Sequence, residues 1–251
     1  VPGRSRAGRR HGRDLGQHFL ESPALASRLT ADARIAASDL VVEFGAGTGT
    51  LTAALHDCGA RVCAVEVDPA LAAGLAQRFA RAPGVTVFAC DLTHFPLPVT
   101  PYRVLANPPF NRTSAILRRL LDDPAGGLVR ADLVVQWQVA RALARTGDEH
   151  AVDLVGASWA PWWTFRRGRR LPSALFRPAP SVDAAVLTVT RRVPGALPVD
   201  AAPTFLRFVR EHFDGTQQQT ADDWVRHFRR ARSAGPAGAT AISAARGRRT
   251  R

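Results

Sequence analysis

The amino-acid sequence predicts an α/β fold: a mixed seven-stranded sheet covered by helices, followed by a small helical C-terminal domain. Three observations carry this expectation. Short apolar runs alternate with helical stretches between residues 40 and 190, the pattern of a largely parallel, helix-covered sheet. One of these runs passes straight into Gly45-Ala46-Gly47-Thr48-Gly49 and then into a helix, a tight strand–loop–helix turn. Finally, Val193-Pro194-Gly195-Ala196-Leu197-Pro198 breaks the alternation, and two helical runs follow it.

In chain order, the predicted strands are Leu40–Phe44, Val62–Val67, Val85–Ala89, Arg103–Ala106, Leu133–Gln136, Val152–Ala157 and Ala184–Thr190. Each is a short apolar run, and the last is expected to be antiparallel. The predicted helices between them are Leu51–Asp57, Pro69–Arg81, Thr113–Leu121 and Val139–Arg145. Beyond the break come Thr204–Phe213 and Asp222–Ala231. Phe205, Phe208, Phe213, Trp224 and Phe228 recur there at helical spacings and are expected to form a core of their own.

Composition narrows the function. Of 251 residues, 46% are hydrophobic, enough for a proper core. No apolar run is long enough to span a bilayer, and no leader-like apolar stretch follows the basic N-terminus, so a cytoplasmic protein is expected. Cys58, Cys63 and Cys90 include no CxxC pair, which argues against a disulfide scaffold and a cysteine zinc site. The charge is +13, and all 34 basic residues are arginine. The arginines cluster in the first thirteen residues, at 166–170, and from Arg226 to Arg251. Clustered guanidinium groups suit a phosphate backbone, so nucleic acid is the expected partner.

The loop at Gly45–Gly49 lets backbone approach a ligand closely. A dinucleotide fingerprint would place glycine at position 50, which is Thr50. Glu66, at the end of the second strand, can accept ribose hydroxyls, and Asp91, after the third, an adenine amino group. Together these features predict a nucleoside cofactor. With Glu43 before it, the loop resembles the S-adenosylmethionine loop of class I methyltransferases, which implies a Rossmann-like sheet and that cofactor.

The fourth strand ends in Asn107-Pro108-Pro109-Phe110. Two prolines fix an extended backbone and leave carbonyls free as acceptors, and an aromatic beside them can stack on a base. The tetrapeptide resembles the catalytic loop of methyltransferases that modify exocyclic amino groups of bases. That resemblance implies catalytic roles for Asn107, Pro108 and Phe110. Gly16-Gln17-His18-Phe19-Leu20 resembles a segment found before the cofactor loop in the ribosomal RNA adenine dimethyltransferase superfamily. Trp159-Ala160-Pro161-Trp162-Trp163 and Phe176-Arg177-Pro178 also fit it.

From Leu15 to Arg192 the chain is similar to Erm-type 23S ribosomal RNA adenine N6-methyltransferases, enzymes of macrolide, lincosamide and streptogramin B resistance. The resemblance implies cofactor contacts from Gln17, His18, Leu20, Gly45, Gly47, Glu66, Asp91 and Asn107, with no metal. It implies 23S ribosomal RNA, naked or partly assembled, as substrate and a monomer as the working form. Arg9, Arg10, Arg13, Arg166, Arg167, Arg169 and Arg170 are the expected RNA contacts. The resulting division is a basic flexible tail (1–13), a catalytic domain (14–192), a small helical domain (193–230) and a second basic tail (231–251). Two alternatives share the fold: a small-subunit ribosomal RNA adenine dimethyltransferase, and a member kept only to bind RNA or DNA.

Overall fold

A computed structural model describes residues 17–144, 154–213 and 220–233. Its elements in chain order are β1 (Phe19–Leu20), α1 (Pro23–Ala33), β2 (Leu40–Phe44), α2 (Thr50–Asp57), β3 (Arg61–Glu66), α3 (Pro69–Arg78), β4 (Val85–Ala89) and β5 (Tyr102–Ala106). There follow α4 (Thr113–Leu121), β6 (Leu128–Gln136), α5 (Trp137–Ala144), α6 (Leu154–Trp159), β7 (Trp163–Leu171), β8 (Phe176–Arg177), β9 (Ala184–Arg191), α7 (Ala202–His212) and α8 (Ala221–Ser233).

Seven strands form one sheet in the order β4-β3-β2-β5-β6-β9-β7. The first five are mutually parallel; β9 runs against both β6 and β7. Strand order reverses between β2 and β5. At such a reversal the connections leave to opposite faces, and a crevice opens beyond the carboxyl ends of the strands. The glycine loop follows β2 and the Asn107 segment follows β5, so the topology brings both to that crevice.

Local chemistry sets the helix starts. Ser22 Oγ accepts the Leu25 amide at 3.2 Å, with Pro23 at the first helical position of α1. Asp68 does the same for α3, accepting from Ala70 and Leu71 at 2.8 and 3.1 Å, again with a proline next in line. One face of the sheet packs Phe44, Phe95, Ile116 and Trp163. The other packs Leu29, Leu55, Leu75 and Phe176.

Three sequence expectations are corrected. The run expected as a strand at Val152–Ala157 is helical from Leu154; residues 152 and 153 lie outside the described part. Gly156, Ala157 and Ser158 are small enough to bury a helix face closely, and Ser158 Oγ donates to Leu154 O at 2.7 Å. The strand that completes the sheet is Trp163–Leu171, whose row of arginines obscured its alternation. The helical runs after the break, α7 and α8, close no core of their own. Phe205 meets Trp162 edge-on at 5.6 Å and Phe228 at 5.1 Å, and this cluster is continuous with the core of the sheet. The three neighbouring tryptophans anchor the junction. Their indole N–H groups donate to Asp122 Oδ1, Leu197 O and Leu121 O at 2.8, 2.8 and 3.2 Å for Trp159, Trp162 and Trp163.

Candidate active site

The crevice at this reversal takes in about 430 Å³ of space, open solvent at its mouth included. Gln17, His18, Leu20, Gly45, Gly47, Glu66 and Asn107 all line it. Gly45 sits at φ +72°, and a Cβ there would lie 3.3 Å from Pro109 Cδ and 3.4 Å from Pro108 Cα. The glycine loop and the Asn-Pro-Pro segment therefore touch through a position that only a residue without a side chain fills without strain. At Gly47, φ +55°, an added Cβ would stand 2.9 Å from the Phe19 ring.

Glu66 is buried beneath the loop. Its Oε2 accepts the Gly47 amide at 2.8 Å and its Oε1 the Asp68 amide at 2.9 Å. Each carboxylate oxygen retains a second lone pair. Glu43, which also lines the crevice, is buried and accepts from Thr52 Oγ1 at 2.6 Å. Burial pushes its carboxyl up to about 8, with the neighbouring Glu66 adding to the effect and the Thr52 hydrogen bond opposing it.

Asn107 Nδ2 donates to the His18 carbonyl at 2.8 Å. The carbonyl can only accept, so the amide oxygen is turned the other way; Asn107 Oδ1 is buried and has no hydrogen-bond partner among the described residues. His18 joins the site again through its ring. Nδ1 lies 2.8 Å from Pro178 O, and the ring centroid is 5.3 Å from that of Phe110. Phe110 in turn meets Phe176 edge-on at 6.4 Å. The antiparallel ribbon β1–β8 fixes this geometry by pairing Leu20 with Phe176.

Three expected site residues stand apart from the crevice lining: Pro108, which is buried with its Cα 3.4 Å from where a Gly45 Cβ would lie, Phe110 and Asp91. Phe110 lies outside it, against His18 and Phe176. Asp91 is committed elsewhere: Oδ2 accepts from Arg112 at 2.7 Å, and Oδ1 from the Thr93 amide at 2.8 Å and the Thr93 hydroxyl. Those Thr93 hydrogen bonds, with Arg112 beside them, hold its carboxyl below the ordinary range. Sequence reading missed Phe19, Thr48, Thr50, Leu51 and Pro109 in the lining and Arg112 beside Asp91. Phe19, Thr48 and Pro109 lie inside the quoted motifs, and Thr50, Leu51 and Arg112 lie within two residues of them.

Of the expected RNA contacts, Arg9, Arg10 and Arg13 lie outside the described residues. Arg166, Arg167, Arg169 and Arg170 are on β7, the edge strand. Arg169 pairs with Asp32 at 3.2 Å and Arg170 with Asp183 at 2.7 Å.

The chain is similar to known proteins in sequence and in fold. A family model described as ribosomal RNA adenine dimethylase matches residues 8–233. An rRNA adenine N-6-methyltransferase of Corynebacterium diphtheriae is 38% identical over 204 residues, covering 81% of this chain and 78% of that protein. The mycinamicin-resistance protein MyrB of Micromonospora griseorubida is 35% identical over 208 residues; the match takes in 83% of this chain and 64% of MyrB, just under two thirds of that relative. Among solved structures, the 23S rRNA methyltransferase ErmE superimposes with a TM-score of 0.68 at 27% identity, over 86% of this chain and 88% of ErmE.

Proposed function

The chain belongs to the ribosomal RNA adenine dimethylase family, and from that premise we propose that it methylates N6 of one adenine in 23S ribosomal RNA, the Erm-type modification that confers macrolide, lincosamide and streptogramin B resistance. The observation that carries this reading is the buried, unpartnered Oδ1 of Asn107. A buried acceptor without a donor is costly, and an exocyclic amino group is a donor of the right kind to complete it.

The N6 lone pair of adenine is delocalised into the ring and is a weak nucleophile. Asn107 Oδ1 and the Pro108 carbonyl are suited to accept the two N6 hydrogens, holding the nitrogen towards tetrahedral geometry. Phe110 is suited to stack on an extruded base. Such a site works by positioning and fixed dipoles rather than by a strong base. The protein's cofactor is S-adenosylmethionine, which supplies an electrophilic methyl on a sulfonium and asks for no metal. The crevice residues fit it. The glycine loop offers close backbone, Glu66 keeps acceptor capacity for a ribose, and Gln17, His18 and Leu20 line the same crevice, with the His18 carbonyl bonded to Asn107. Asp91 retains one lone pair of Oδ2 for an adenine amino group beside Arg112.

In this reading residues 14–192 carry catalysis, residues 193–230 are the small helical domain, and a monomer in the cytoplasm acts on naked or partly assembled large-subunit RNA. The test is transfer of labelled methyl from S-adenosylmethionine to naked 23S and naked 16S RNA in parallel. The reading expects label in 23S RNA alone. Label confined to 16S RNA would make the chain a small-subunit enzyme, and binding without transfer would make it a non-catalytic member.

A further inference from the structure

Strand β7 carries one extra residue between Arg167 and Arg170. Arg167 pairs with Leu187, but Arg170 pairs with Ala185, one step out of register. In a regular strand residues 167 and 170 point to opposite faces. A one-residue bulge reverses the faces beyond it. The core confirms the reversal: Trp163 and Phe165 pack on one side of the sheet and Leu171 on the other, although all three are odd-numbered. Arg167 and Arg170 therefore share a face.

On that face they meet one indole. The guanidinium carbons of Arg167 and Arg170 lie 4.5 and 5.1 Å from the Trp137 ring centroid, within cation–π range. Trp137 opens α5 directly after β6, and its amide donates to Asp183 O at 2.9 Å. Asp183 also accepts from Arg170 and, at 2.9 Å, from the Ser173 amide. Arg167 has no carboxylate partner among the described residues. Arg166 and Arg169 are turned to the opposite face, away from Trp137, where they line a hollow with Asp32 and Asp132; Arg169 pairs with Asp32 there as Arg170 does with Asp183 on the other face.

The placement relative to the candidate site is the second observation. β6 is the parallel neighbour of β5, and Ala106 pairs with Leu133. β6 continues past that level to Gln136, so Trp137 stands at the same carboxyl-terminal edge as Asn107, one strand over.

We propose that Trp137, Arg167 and Arg170 form a platform that grips the RNA backbone beside the target adenine, and that Arg166 and Arg169 take no part. The proposal rests on the RNA-methylation reading and deepens it. Guanidinium groups held against an indole lose less freedom when they bind. Their outward N–H groups remain available to phosphate oxygens.

The experiment compares two double variants of the full chain, Arg167→Ala/Arg170→Ala and Arg166→Ala/Arg169→Ala, with Trp137→Ala and Trp137→Phe. Binding of a 23S RNA fragment is titrated across salt concentration, and kcat and KM are measured for RNA and for S-adenosylmethionine. The 167/170 pair is expected to weaken RNA binding about tenfold or more and to flatten the log–log salt slope by roughly 0.7–0.9 per lost contact. The 166/169 pair should stay within about twofold of the parent. Trp137→Ala should raise KM for RNA several-fold with kcat and cofactor KM unchanged, and Trp137→Phe should recover most of the loss. Equal effects from the two arginine pairs, or no effect from the 167/170 pair, would overturn the platform. A parent chain that bound no ribosomal RNA would overturn the methylation reading as well, and this is measured first in the same titration.

Discussion

Asn107 Nδ2 and the carbonyl oxygen of His18 lie 2.8 Å apart. This single contact links two motifs 89 residues apart in the chain and determines which way the Asn107 amide faces. It leaves Oδ1 buried and without a hydrogen-bond partner among the described residues.

The first prediction follows from that contact. Asn107→Ala removes the acceptor and the tether to His18. Methyl transfer should fall by about 100-fold or more, the scale on which misplacing a reacting group by about 1 Å acts. Stability should fall by only about 1 kcal/mol, the worth of one hydrogen bond. Single-turnover kinetics and urea unfolding measure the two. Transfer at the parental rate would remove Asn107 from the chemistry.

Glu43 gives the second prediction. Its carboxyl is raised from 4.5 to about 8 by burial, so the folded state holds a proton that the unfolded state has released. Between those values the folded chain binds more protons than the unfolded one. The contribution is fully present below pH 4.5 and is lost as pH rises towards 8, at about 1.4 kcal/mol per pH unit at most. Glu43→Gln keeps an acceptor for Thr52 and abolishes the titration. Thermal unfolding at pH 5 and pH 8 should show a smaller drop in Tm for the variant than for the parent. Equal drops would mean that Glu43 is ionised in the folded protein.

A third prediction separates the two carboxylates expected at the cofactor. Glu66 lines the crevice and braces the Gly47 amide, whereas Asp91 lies outside the lining and is engaged by Arg112 and Thr93. Glu66→Ala should weaken S-adenosylmethionine binding by about 1–3 kcal/mol, and Asp91→Ala by clearly less. Calorimetric titration of both variants checks the order, and an equal or reversed order would contradict this view of the crevice.

Gly45 supplies the fourth. Gly45→Ala places a methyl 3.3 Å from Pro109 at φ +72°. The variant should lose about 1–2 kcal/mol of stability from the left-handed backbone and bind cofactor at least tenfold more weakly. Cofactor affinity equal to the parent's would show that the loop does not approach the ligand closely.

The arginine-rich terminal segments yield the fifth. Helix α8 runs to Ser233, so the truncation that spares it removes 1–13 and 234–251 rather than starting at 231. Acid-free, arginine-rich tails bind phosphates without reading bases. Their loss should weaken RNA binding and reduce its salt dependence while leaving the methylated adenine unchanged. A shift to another adenine would show that the tails help to select it.

What was legible in the sequence was what local chemistry writes locally. Leu40–Phe44 followed by Gly45–Gly49, and Arg103–Ala106 followed by Asn107–Phe110, showed as strand-to-loop junctions because apolar runs end abruptly at glycine and proline. The run Val152–Ala157 reads as a strand because the helix that starts at Leu154 buries small residues and has the same apolar profile. Trp163–Leu171 was missed as a strand because its bulge breaks the period-two pattern and its arginines suggest a surface. The partnership of Arg112 with Asp91 and the stacking of Arg167 and Arg170 on Trp137 depend on strand order and register, which no local pattern encodes.

The most direct test of the central claim is nucleoside mass spectrometry of naked 23S RNA after incubation with isotopically labelled S-adenosylmethionine and either the parent chain or Asn107→Ala. The account predicts N6-methylated adenosine at one position of the 23S RNA with the parent and almost none with the variant. Label on a ring atom of the base, or equal N6 methylation by the two proteins, would contradict it.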